Sequence, residues 1–370
     1  MDILLLNWKD IKNPEVGGAE VIAFEFARRL AKDGHNVTFF SRMFSNARVE
    51  ENIDGVRVVR RGDKFSVYFH AYLYYKSLKK KPEKVIDMVN TVCWQTPLYV
   101  PQKNRLLYVN QLAKEVWFYE KKFPISLIGY FLEKFEYISY KKTETICYSD
   151  STKKDLVSFG MPIKNISLFT MGLDHDRYKT GTIKDPQPLF LFVARLVRMK
   201  RADLCIKAMK LFLKNHAGRL LIVGSGPDEA RLFALIKKYK LQDQVIIINK
   251  NNFFFKKDSR DPKVKLMQES WALLLPSVKE GWGMVVTEAA ACGTPAIVSD
   301  VTGLRDSVIN NKSGIILSKT PTAKELSGAM SKIADNKTLR EKLSKGALEW
   351  GKNFTWDKSY QEFKNIVLGK

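Results

Sequence analysis

Short runs of consecutive apolar residues alternate along the chain with longer stretches in which apolar positions return at helical spacing. The runs predict strands over Asp2–Asn7, Gly34–Phe40, Val56–Arg60, Val85–Val89, Asn104–Asn110, Thr145–Ser149 and Asn165–Phe169. A second series follows at Leu189–Val193, Arg219–Val223, Gln244–Ile248, Trp271–Pro276 and Ala296–Ser299. The stretches between them predict helices: Val21–Lys32, Thr152–Phe159 capped by Ser149 or Ser151, Ala202–Leu213, Asp228–Tyr239 and Met284–Cys292. Strands without polar alternation, separated by helices, belong to parallel sheets covered on both faces. Gly181–Pro188, with two prolines and a glycine, reads as the crossing between the two series. The expected fold is α/β, with two doubly wound domains and a cleft between them. Residues 1–180 and 181–350 form these domains, and 351–370 a closing helix. In that last segment Phe354, Trp356, Tyr360, Phe363 and Val367 lie close to helical spacing.

Composition narrows the class. A hydrophobic content of 45% over 370 residues supplies full cores and excludes general disorder. Cys93, Cys147, Cys205 and Cys292 are scattered and read as thiols of a reducing compartment. The apolar opening Met1–Leu6 is too short for a signal peptide, and no apolar run reaches about 18 residues, so a cytoplasmic protein is expected. The net charge of +23 calls for nucleic acid, an anionic membrane surface or a polyanionic small substrate, unless it reflects a basic proteome. No RNA or DNA motif accompanies the charge, so nucleic acid is not an expected partner.

The densest chemistry lies between Lys279 and Asp306. Trp271–Pro276 leads into a loop, Glu280-Gly281-Trp282-Gly283, and Met284 opens a helix that Gly293-Thr294-Pro295 ends. Such a loop aims free backbone N–H groups and the positive end of a helix dipole at one spot, which suits a phosphate. Glu288 lies about two turns down the helix from Glu280. After the strand 189–193, Arg195 and Lys200 supply two cations able to meet a pyrophosphate. Gly17-Gly18, after the first strand, allow close backbone approach to a ligand. The G-x-G-x-x-G dinucleotide fingerprint is not met there.

The pair Glu280 and Glu288 with seven residues between, Gly281-x-Gly283 and the trailing Gly303-Leu304-Arg305-Asp306 resemble the E-x7-E signature of retaining glycosyltransferases of family 4. Arg195 and Lys200 are similar to that family's R-x4-K pair, and Gly17-Gly18-Ala19-Glu20 to its G-G-x-E. The resemblance implies a GT-B fold, with two Rossmann-like doubly wound domains facing a cleft. It makes the first domain the acceptor side, the second the nucleotide-sugar side, and brings the C-terminal helix back onto the first. It implies that Glu280 bonds the transferred hexose and that Glu288 holds the ribose. Gly281, Trp282, Gly283 and Met284 then hold sugar and phosphate by backbone amides. Arg195 and Lys200 offset charge on a departing UDP or GDP. No cofactor and no metal are expected, and Asp174-His175-Asp176 matches the family's domain-joining segment better than a metal triplet. Asn110 stands where many relatives carry a histidine that reaches the donor sugar. The base is expected against Asn249–Phe255, where a phenylalanine can stack. A catalytically weak nucleotide-sugar binder and a nucleotide-sugar epimerase remain the alternatives.

Residues 64–81 and 114–142 mix Tyr, Phe and Trp with lysines, including Lys79-Lys80-Lys81. Either these aromatics fill a core rimmed by lysines, or they dock on an anionic membrane surface and bring the enzyme to a lipid-linked acceptor.

Overall fold

The computed structural model describes residues 1–181, 183–249 and 261–369. They form two compact units, each built on one sheet. The first comprises residues 1–114, 127–172 and 357–370, and the second residues 115–126 and 173–356.

The sheet of the first unit contains β1 (Asp2–Leu6), β2 (Asn36–Ser41), β3 (Glu50–Ile53), β4 (Val56–Arg60), β5 (Lys84–Val89), β6 (Arg105–Val109), β7 (Glu144–Cys147) and β8 (Ile166–Leu168). Their order is β3-β4-β2-β1-β5-β6-β7-β8, parallel throughout except where β3 turns back on β4. Leu4 pairs with Thr38 on one side and Val85 on the other, so β1 is central and Ile3–Leu6 are buried on both faces. Only the second strand of the hairpin β3–β4, Val56–Arg60, was among the predicted strands. Its first strand is polar and edge-lying, so it lacks the apolar run that marks the others.

Helix Gly18–Lys32 begins earlier than Val21. Glu20 reaches back so that its Oε2 accepts the Gly17 N–H at 2.7 Å, which fixes Gly17 as the cap and places Gly18 inside the first turn. Ser149 caps helix Asp150–Ser158 as expected, its Oγ accepting the Thr152 N–H at 3.1 Å. The last helix, Trp356–Leu368, packs within the first unit. Phe363 stacks on Phe26 at 4.2 Å, and Asp33 joins Tyr360 and Lys364 at 2.7 and 2.5 Å. Beneath the loop after β1, the fully buried Arg60 guanidinium grips Asp10 at 2.7 and 2.9 Å.

The second sheet contains β9 (Leu189–Val193), β10 (Arg219–Val223), β11 (Val245–Ile248), β12 (Ala272–Leu275), β13 (Ala296–Val298) and β14 (Gly314–Ile316), all parallel. The order β11-β10-β9-β12-β13-β14 makes the chain wind outward from β9 in one direction and then restart at β12 on its other side. Ligands of such sheets bind where the winding reverses, outside the carboxyl ends of the two strands. The loops leaving β9 and β12 are those that carry Arg195, Lys200 and Glu280.

Candidate active site

The loop after β9 is stitched to its neighbours by backbone. Leu196 N–H donates to Ser225 at 3.0 Å and its carbonyl accepts Asp228 N–H at 3.0 Å. A Cβ on Gly224 would sit 1.9 Å from the Ala194 carbonyl, so only glycine lets the loops after β9 and β10 close on each other. Val278 N–H then donates to the Met199 carbonyl at 2.9 Å, which ties the turn Arg198–Lys200 to the chain leaving β12. That bond delivers Lys200 to Glu280: Nζ meets Oε1 at 2.5 Å, and the Ser277 hydroxyl donates to the same oxygen at 2.8 Å.

Glu280 is fixed from below as well. Its N–H donates to Thr302 at 3.2 Å, and Gly303, at φ +82°, lies so close that a Cβ would stand 2.4 Å from the Glu280 carbonyl. Gly283 caps helix Met284–Ala291 in the left-handed region. The N–H groups of Gly281, Trp282 and Gly283 make no hydrogen bond among the described residues. Those of Met284 and Val285 begin the helix, where no intrahelical acceptor exists. The loop therefore presents a row of donors beside Lys200 at the positive end of a helix.

Down the helix, Glu288 is buried and its Oε2 meets Lys263 Nζ at 2.6 Å. Lys263 also donates to the Tyr178 hydroxyl at 3.1 Å. Burial, and then the neighbouring Glu288 charge, push the Tyr178 phenol above its ordinary range. Lys263 comes from helix Pro262–Glu269, capped by Asp261, whose carboxylate also takes Arg177 Nε at 2.6 Å. Lys263, Ser277 and Tyr178 were not candidates from sequence. The Asp261-Pro262 start was a legible helix signal, but nothing in the spacing ties Lys263 to Glu288.

Lys200 engages Glu280, while Arg195 is exposed and makes no side-chain hydrogen bond or ion pair among the described residues. The Trp282 ring is buried edge-on against Phe354 at 5.3 Å, so only its backbone is open to a ligand. Asp174 Oδ1 accepts the N–H groups of Asp176 and Arg177 at 3.0 and 3.1 Å, a local turn. His175 Nε2 lies 2.7 Å from the Phe354 carbonyl. Of the expected base-stacking loop, residues 250–255 lie outside the described residues.

In the first unit, exposed Gly17 bonds Glu20, which belongs to a polar cluster at the carboxyl ends of β1, β5 and β6. Glu20 pairs with Lys9 at 3.5 Å and accepts from Asn90, which donates to Asn7 at 3.2 Å. Asn110 donates to Asn90 at 2.8 Å and to the Val89 carbonyl at 3.2 Å, while its Oδ1 accepts the Tyr148 hydroxyl. Both ends of its amide are thus engaged in this network.

Residues 16–177 match the family model Glycosyltransferase Family 4, and residues 176–350 the model Glycosyl transferases group 1. An uncharacterized glycosyltransferase of Methanocaldococcus jannaschii is 23% identical, over 99% of this chain and 97% of its own. Among solved structures, sucrose-phosphate synthase from Thermosynechococcus elongatus aligns with a TM-score of 0.81 at 19% identity, over 100% of this chain and 98% of that one. HepE from Anabaena, solved with UDP-glucose, aligns with a TM-score of 0.68 at 13% identity over 100% of both chains. The chain is a glycosyltransferase of the family 4-like type with the GT-B fold.

Proposed function

We propose that this glycosyltransferase moves a hexosyl group from a UDP- or GDP-linked sugar to an acceptor hydroxyl, with retention of configuration and without a metal ion. The observation that carries the reading is the Lys200–Glu280–Ser277 cluster beside the open N–H groups of residues 281–283. A diphosphate set there meets a cation and a row of donors that gain strength as charge develops on it. Glu280 then binds sugar hydroxyls, Glu288 the ribose, and exposed Arg195 adds a second cation. The acceptor oxygen bonds to the anomeric carbon on the face that the phosphate leaves, and the acceptor proton passes to the departing phosphate oxygen. The UDP-glucose complex of HepE supports the donor class.

The engaged Asn110 amide favours a second reading, a nucleotide-sugar binder with little turnover. Incubation with labelled UDP- and GDP-sugars in EDTA, with a panel of hydroxyl acceptors, separates the two. Released nucleoside diphosphate, and a product with the donor's anomeric configuration by NMR, is the expected result. Tight donor binding without release supports the second reading, and a requirement for Mn²⁺ refutes the metal-free mechanism.

A further inference from the structure

Helix Ile125–Glu136 is turned inside out. Its inward face is polar and pinned: Glu133 accepts the Ala113 and Lys114 N–H groups at 2.5 and 2.7 Å, and Glu136 accepts the Cys93 N–H at 3.1 Å. Buried Tyr137 and Tyr140 continue that face, the Tyr140 hydroxyl bonding Asp87 and accepting the Thr96 N–H at 3.1 Å. Ile128, Phe131, Leu132, Phe135 and Ile138 form the opposite stripe, each between 50% and 62% exposed. Rotating the helix to hide that stripe would strip the buried Glu133 and the half-buried Glu136 of their partners, so the apolar face points outward by specification.

A second stripe lies on helix Val67–Ser77. Val67, Ala71 and Tyr75 are buried there, while Phe69 and Leu73 are exposed, as is the preceding Phe65. Both helices rest on the segment after β5, Tyr68 against Trp94 at 4.9 Å and Glu136 on Cys93. Lys134 lies on this first helix, Ile125–Glu136, and Lys141 and Lys142 follow it in the chain, all three exposed and without an ion pair among the described residues. The lysine cluster 79–81 is a weaker contributor than its composition suggests. Lys81 closes the C-terminal carbonyls of Tyr75, Lys76 and Leu78, and Lys80 pairs with Asp2 at 2.7 Å.

We infer that this face is a docking surface for an anionic lipid bilayer, into which Ile128, Phe131, Leu132 and Phe135 insert at headgroup depth. The charge decides the occupant. A second copy of a chain of net charge +23 would set lysine against lysine, whereas an anionic leaflet satisfies the lysines and the apolar stripe together. No helix among the described residues is long and apolar enough to cross a membrane, so attachment is to the surface. The inference stands apart from the donor site, which lies in the other unit.

The test is cosedimentation of the full chain with vesicles of phosphatidylcholine alone and of phosphatidylcholine mixed with phosphatidylglycerol, at low and high salt. Binding to the mixed vesicles only, falling with salt, is expected. Lys134→Glu/Lys141→Glu/Lys142→Glu should weaken it on the order of 100-fold, from about a fivefold loss for each lysine near an anionic leaflet. Phe131→Ser/Phe135→Ser should abolish binding while nucleoside diphosphate binding and circular dichroism stay as in the parent, which shows a folded protein. No binding at low salt overturns the inference. So does a dimer in sedimentation velocity that the Phe131→Ser/Phe135→Ser variant dissolves, since the face would then belong to a second copy.

Discussion

At the scale of single residues, side chains with similar sequence signals have opposite fates. Arg195 stays exposed, while Lys200 is committed to Glu280. Asn110 departs from the family pattern in sequence, and the structure supplies a reason: its amide joins Asn90, Val89 and Tyr148 beneath the carboxyl ends of the strands. Asn110→Ala would leave the buried Tyr148 hydroxyl without this acceptor and Asn90 Oδ1 without this donor. A loss of about 1–3 kcal/mol in urea unfolding is expected, and an unchanged midpoint would show that the network carries little stability. The types and positions of Glu280, Glu288, Lys200 and Arg195 were legible because glycines and strand ends flank them. The pairing of Lys263 with Glu288 was not, because contacts between distant segments leave no periodicity.

At the scale of elements, the central strands and most helices were legible, since an apolar run or a helical stripe marks each of them. The orientation of helix Ile125–Glu136 was not. A stripe of apolar residues at helical spacing looks alike whether it faces the core or the solvent, and here the acidic face went inward. That inversion has a pH signature. Burial pushes Glu136 up to about 7, and Asp87, wholly buried, up to about 6. The fold favours the neutral acids, so their contribution is full below the ordinary carboxylate range and is lost as pH rises through 6 to 7. Thermal melts should show a smaller loss of stability between pH 5 and 8 in Glu136→Gln than in the parent; an equal loss would place the titration elsewhere. The loop after β13 offers a second test. Gly303→Ala forces a Cβ against the Glu280 carbonyl at φ +82°, which costs about 1–2 kcal/mol from the dihedral alone. Donor binding should fall with stability, and wild-type affinity in calorimetry would show that Glu280 does not depend on this contact.

At the scale of the whole molecule, two sheets each reverse their winding beside a loop that carries candidate site residues, and the chain's last helix returns to the sheet that the chain began. Phe363 anchors that return against Phe26, Phe169 and Tyr108. Phe363→Ala should destabilise the first unit by about 3–5 kcal/mol, read as a lowered first transition in calorimetric melting, with nucleotide affinity retained at a temperature below it. A single unchanged transition would mean that the helix adds little to that unit.

If the proposed function holds, the loops after β9 and β12, with Glu288, bind a nucleoside diphosphate. Isothermal titration of UDP and of GDP into the parent, Lys200→Ala and Glu288→Gln tests it most directly. One saturable site for one of the two nucleotides is expected, weakened about tenfold or more in each variant, as the loss of a charged hydrogen bond of about 1.5–3 kcal/mol requires. Parent-like affinity in both variants, or no binding of either nucleotide to the parent, would contradict it.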